Sequence, residues 1–72
     1  MDIDLTDQMT WPNLETQWRH RNGNVYKVLF YTNIEPGRQT EYPTTVVYEN
    51  VANGNRYSRR LVDWHRSMTP LY

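Results

Sequence analysis

Trp18-Arg19-His20-Arg21-Asn22-Gly23-Asn24-Val25-Tyr26-Lys27-Val28-Leu29-Phe30-Tyr31 is the stretch on which the fold of this chain turns. An Asn-Gly pair separates a short aromatic and basic run from a longer run of β-branched and aromatic residues. Asn-Gly tolerates the positive φ angles of a type I′ hairpin turn, and the flanking residue types favour a pleated, half-buried surface. The pattern predicts strand, turn, strand. The same punctuation recurs at Pro36-Gly37 and Asn53-Gly54, where Pro-Gly suits the central pair of a type II turn. These pairs divide the chain into predicted strands over residues 16–21, 24–33, 41–51 and 55–60, an antiparallel meander.

Alternation assigns faces within those strands. Tyr26, Val28 and Phe30 share one face of the second, with Val25, Lys27, Leu29 and Tyr31 on the other. In the third, Tyr42, Thr44, Val46 and Tyr48 oppose Thr45, Val47 and Glu49. Neither strand has a cleanly polar face, so a curled sheet covered in part on both sides is expected. Pro43 lacks an N–H and belongs at a strand start or at an open sheet edge. Residues 61–66 predict a short helical turn with Leu61 and Trp64 inward and Asp63 and His65 outward. Pro70 disfavours helix before it and ends that segment.

A chain of 72 residues holds one domain with a modest core. Its three Trp, six Tyr and one Phe bury much area per residue, which suits a small core. There is no cysteine, which excludes disulfides and thiolate zinc sites. No apolar run approaches the roughly 20 residues of a membrane span. Met1-Asp2-Ile3-Asp4-Leu5 is unlike a signal peptide. A cytoplasmic protein that does not engage membranes is expected, with homo-oligomerisation left open. The net charge of zero conceals an asymmetry. Residues 1–15 carry Asp2, Asp4, Asp7 and Glu15 and no basic group, whereas residues 16–72 carry a net +4, with Arg supplying seven of the eight cations. Two parts follow: an acidic N-terminal arm over residues 1–14 and a β domain over residues 15–72.

The hairpin resembles the opening of the DUF1653 family, a bacterial and phage family of unassigned function. That family begins with an aromatic, any residue and His, then a Gly turn and a Tyr-x-Val strand, here Trp18-Arg19-His20, Gly23 and Tyr26-Lys27-Val28. Its middle is similar to Val46-Val47-Tyr48. Its close is similar to Tyr57-Ser58-Arg59-Arg60-Leu61-Val62-Asp63-Trp64, although the family has Arg-Pro where this chain has Arg59-Arg60. The loop between the second and third strands is longer here, and residues 1–15 lie outside the match. The resemblance implies an SH3-like barrel of four to five antiparallel strands with a short C-terminal helical turn, and no activity. Small size and the tail arrangement also resemble phage accessory proteins.

The sequence offers little to catalysis. His20 and His65 lie on different predicted elements and form no spaced ligand pair, so neither metal nor other cofactor is expected. Asp63-Trp64-His65 brings an acid and an imidazole together without a nucleophile framework, and no P-loop, Rossmann or Gly-x-Ser-x-Gly motif occurs. The chain is therefore read as a non-enzymatic binding domain. His20 suits either a contact role or a strand-end imidazole bonded to backbone near the turn. The candidate binding residues are Arg19, His20, Arg21, Tyr48, Tyr57, Arg59, Arg60 and Trp64, where guanidinium groups and rings interleave. Such a surface docks a protein, here a host protein if the chain is phage-encoded. The alternative is nucleic acid, whose phosphates and bases Arg and aromatic rings also bind. The acidic arm is a solvated tail, a mask over the Arg surface, or a partner-binding segment anchored by Leu5, Met9 and Trp11.

Overall fold

The computed structural model describes residues 11–71, and the expectations placed on Leu5, Met9 and the acidic groups before Trp11 lie outside them. Five strands form one antiparallel sheet: β1 Gln17–His20, β2 Val25–Thr32, β3 Thr45–Asn50, β4 Arg56–Arg60 and β5 Met68–Pro70. A single helical turn, α1 Leu61–Trp64, joins β4 to β5. The spatial order is β4-β3-β2-β1-β5. The fold is all-β, as the glycine punctuation predicts, but the expected barrel does not close. The last strand returns to pair with β1, and no ladder joins it to β4. β5 is three residues long and pairs with β1 alone, with Leu71 N–H extending the contact to Gln17 O at 3.0 Å. Of the two places open to Pro43 the structure takes the strand start and not the sheet edge: Pro43 lies just before β3, an interior strand, and the edges are β4 and β5.

The turns form where predicted, with a different geometry at the two Asn-Gly pairs. Gly23 has φ 97° and Gly54 φ 77°, whereas neither Asn22 nor Asn53 has positive φ. A type I′ turn needs both. Residues 21–23 instead make a three-residue loop closed by His20 N–H to Asn24 O at 2.8 Å, with Gly23 N–H donating to His20 O at 2.8 Å. The Asn side chains serve as Asx acceptors: Asn22 Oδ1 takes Asn24 N–H and Asn53 Oδ1 takes Asn55 N–H, both at 2.9 Å. Pro36-Gly37 behaves as expected, with Arg38 N–H donating to Glu35 O.

The core gathers on one face of the sheet. Trp18, Tyr26, Val28, Val46, Tyr48, Leu61, Trp64 and Met68 form it. Register explains the set, because Trp18 stands opposite Tyr26 and Val28 opposite Tyr48. Fully buried Trp64 lies edge-on to Trp18 of β1 at 5.6 Å and to Tyr48 of β3 at 5.1 Å, and so bridges the strand between them. One expected face assignment fails. Pairing slips between Val28 and Phe30, a β-bulge at Leu29, and the extra residue inverts the alternation beyond it. Phe30, expected beside Val28, pairs with Val47 on the outer face and is exposed. Tyr31 turns inward opposite Val46 and packs against the core.

Residues 11–13 also belong to the body. The Trp11 ring lies 4.8 Å from that of Tyr31, Pro12 is buried, and Tyr31 Oη–H donates to Pro12 O. Thr16 N–H and Oγ1–H both donate to Asn13 O. Trp11, Pro12 and Asn13, which fall within the expected N-terminal arm, thus contact the body through Tyr31 and Thr16.

Candidate arginine cleft

β4, α1 and the segment leading into β5 build a polar concavity. Arg59 sits on the inner face of edge strand β4, opposite Val46, where an interior strand would carry an apolar residue. Its guanidinium Nη1 donates to Ser67 Oγ at 2.7 Å and reaches Asp63 O at 3.5 Å. Arg60, one residue on, points to the other face of the strand and swings back over α1. Its Nε donates to Asp63 Oδ2 at 2.9 Å. Arg66, one turn beyond Asp63, approaches Oδ1 through Nη2 at 3.6 Å. Arg21 comes from the β1–β2 loop, where its N–H donates to Ser67 O at 3.0 Å. Its side chain makes no bond to any described residue. Together Arg21, Arg59, Arg60, Asp63, Arg66 and Ser67 line an open cleft of about 430 Å³.

The cleft unites three of the expected residues, Arg21, Arg59 and Arg60, and leaves the other five elsewhere. Tyr57 lies on the same inner face of β4 as Arg59, is 44% exposed, and has its ring tilted against that of Tyr48 at 5.9 Å. Tyr48 and Trp64 are corrected as contact residues. Their relative exposures are 8% and 0%, so both shape the core and neither is open to a partner. Burial pushes the Tyr48 hydroxyl pKa above its ordinary value, and the Arg59 charge opposes that shift. Arg19 is exposed on β1, adjacent in sequence to inward-facing Trp18 and so on the opposite face of the sheet. His20 Nδ1 accepts Asn22 N–H at 3.0 Å, the backbone role offered for it as one of two.

Sequence reasoning missed Arg66, Asp63 and Ser67 as members of the cleft. Arg60, Asp63 and Arg66 recur every three residues, a spacing that puts them on one side of a helical turn. That signal was available. Nothing in the sequence shows that the Arg21 loop would meet Ser67, because the contact depends on β5 pairing with β1.

A second concavity of about 270 Å³, mostly apolar, lies between Trp11, Pro12, Trp18, His65, Pro70 and Leu71. Among the described residues no three His, Asp or Glu side chains gather as metal ligands. None of the described helices is long and apolar enough to cross a membrane. Compared with known proteins, the chain matches no family model, no curated protein and no solved structure.

Proposed function

We propose that this chain is a non-enzymatic protein-interaction module that holds an anionic group of its partner in the arginine cleft. One observation carries this reading: four arginines and a single carboxylate, Asp63, line one open concavity. Guanidinium forks are suited to planar, multi-bonded recognition of oxyanions. Exposed Tyr57 beside Arg59 supplies the aromatic neighbour typical of protein docking centres. The setting that accompanies this reading is a phage-encoded accessory protein acting on a host protein in the cytoplasm, and its support is the small size of the chain and its tail arrangement.

The distribution of the remaining cations favours a protein over nucleic acid. Binding along a nucleic-acid backbone needs a basic stripe. Lys27 is matched by Glu15 at 3.5 Å, Arg56 by Glu49 at 3.1 Å, and Arg38 by Glu41 at 2.9 Å and Glu35 at 3.9 Å. Arg19 lies on the opposite face. The unmatched charge is focal.

Affinity capture from a lysate of the encoding organism, with and without nuclease, tests the reading against the double variant R21E/R66E. A protein retained after nuclease and lost with the variant is the expected result. Capture that survives the charge reversal, capture of nuclease-sensitive material alone, or no capture would overturn it.

A further inference from the structure

We infer that the anion this cleft receives is a phosphate monoester dianion, a phosphorylated side chain of the partner protein; the inference rests on the interaction reading above. Charge is the first reason. Four guanidinium groups and Asp63 leave the cleft at +3. A single carboxylate would leave +2 and a phosphodiester the same, whereas a monoester, which carries about −1.5 to −2 at pH 7, brings the site closest to neutrality.

Donor supply is the second reason. Each guanidinium has five N–H donors. Arg59 commits donors of Nη1 and Arg60 that of Nε, Arg66 makes an ion pair with Asp63 at 3.6 Å without a hydrogen bond, and Arg21 commits none among the described residues. Many donors therefore remain around one opening, a number suited to three phosphoryl oxygens rather than two carboxylate oxygens. Preorganisation is the third reason. Asp63 already holds Arg60 and Arg66 apart on its two oxygens, and Ser67 fixes Arg59. Only Arg21 has to move onto the ligand. Its backbone anchor to Ser67 keeps it at the rim.

The test titrates full-length ¹⁵N-labelled protein with phenyl phosphate, inorganic phosphate, dimethyl phosphate, acetate, a phosphoserine peptide with its Ser and Glu counterparts, and an oligothymidylate. The expected result is saturable amide shifts confined to Arg21, Arg59, Arg66 and Ser67. Affinity for phenyl phosphate should exceed that for dimethyl phosphate or acetate by about tenfold or more, in line with charge-assisted bonding. It should weaken as pH falls from 7.5 to 5, through the second phosphate pKa near 6. R21Q should lower it about tenfold without changing the far-ultraviolet spectrum, since the Arg21 side chain supports no described contact. Tighter binding of the phosphoserine peptide than of inorganic phosphate assigns the source to a protein.

Equal affinity for monoester, diester and acetate overturns the inference. So does preference for inorganic phosphate over the peptide, or tighter oligothymidylate binding with shifts spreading to Arg19, Arg38 and Arg56. Partner capture that depends on Arg21 and Arg66 yet resists phosphatase treatment would sink the phosphoryl assignment and leave the interaction reading standing.

Discussion

Trp64 carries a consequence that separates packing from polarity in the core. Its indole is fully buried between Trp18 and Tyr48, yet its Nε1–H has no hydrogen-bond acceptor among the described residues. Trp18, by contrast, donates Nε1–H to Thr16 Oγ1 at 3.0 Å. An orphaned buried donor costs about 1–3 kcal/mol, whereas truncating a buried Trp to Ala costs about 3–5 kcal/mol. Trp64→Phe removes the orphan and keeps one ring against both neighbours, so the lost area and the relieved donor offset each other. We expect Trp64→Phe to cost no more than about 2 kcal/mol and Trp64→Ala about 3–5 kcal/mol. A chain of this length holds roughly 4–11 kcal/mol in total. At an m-value of about 1 kcal/mol/M, the Phe variant shifts its urea midpoint by no more than about 2 M. The Ala variant loses most of its transition. Urea unfolding followed by far-ultraviolet circular dichroism, which does not depend on the removed fluorophore, reads both. If Phe costs as much as Ala, the indole N–H is satisfied and the offset reasoning is wrong.

Three further outcomes follow from named contacts. Gln39 organises the long β2–β3 loop: Nε2 donates to Asn33 O and Glu35 O, and Oε1 accepts Thr44 N–H and Thr44 Oγ1–H. Gln39→Ala strands the N–H of buried Thr44, whose hydroxyl keeps Asn33 O at 3.0 Å, and should cost about 1–3 kcal/mol; an unchanged melting temperature would refute that role. Val28→Ala should cost about 1–3 kcal/mol and Phe30→Ala less than about 0.5 kcal/mol, because the Leu29 bulge leaves the larger side chain outside; thermal melts of the pair check the inverted face. Tyr31 is pushed up to about 12 by burial, so its unfolded form, near 10, releases its proton first. The stabilisation is full below pH 10 and is lost as pH rises through 12. Melts from pH 8 to 12 should therefore show the gap between wild type and Tyr31→Phe narrowing, and a constant gap would count against it.

Local chemistry made much of the fold legible. The three glycine pairs mark turns because few other residues accept their φ angles, and the alternation of Thr44, Val46 and Tyr48 gives the buried face of β3 correctly. Leu61 and Trp64 are both inward, as their helical spacing predicts. The failures share one cause. A bulge at Leu29, a return of Met68–Pro70 to β1 and the failure of β4 to meet β5 are decided by pairing partners far apart in sequence. Val28-Leu29-Phe30 reads as uninterrupted alternation because nothing in its residue types specifies which backbone group lacks an opposite number. Turn type was misread for a similar reason. Asn-Gly permits type I′, but the loop length set by the Arg19–Val25 pairing selects a geometry with only Gly at positive φ.

The cleft shows where legibility of function ends. Arg59-Arg60 drew attention as adjacent charges, yet their roles differ by strand geometry alone. The pleat turns Arg59 inward at an edge and Arg60 outward, and only the chain reversal at α1 brings both guanidinium groups to one opening. An inward Arg is tolerable there because β4 is an edge strand and Ser67 and Asp63 O supply acceptors. In a closed barrel β4 would meet β5, and the space before Arg59 would be filled by pairing. The failure of the sheet to close and the presence of the arginine cleft are therefore one structural fact. β5 pairs with β1 alone and leaves the gap, and the β4–α1–β5 connection lines it with Arg59, Arg60, Asp63, Arg66 and Ser67. Arg21 is added because β5 chose β1 as its partner. The arginine cleft thus depends on a strand that the residue pattern does not mark.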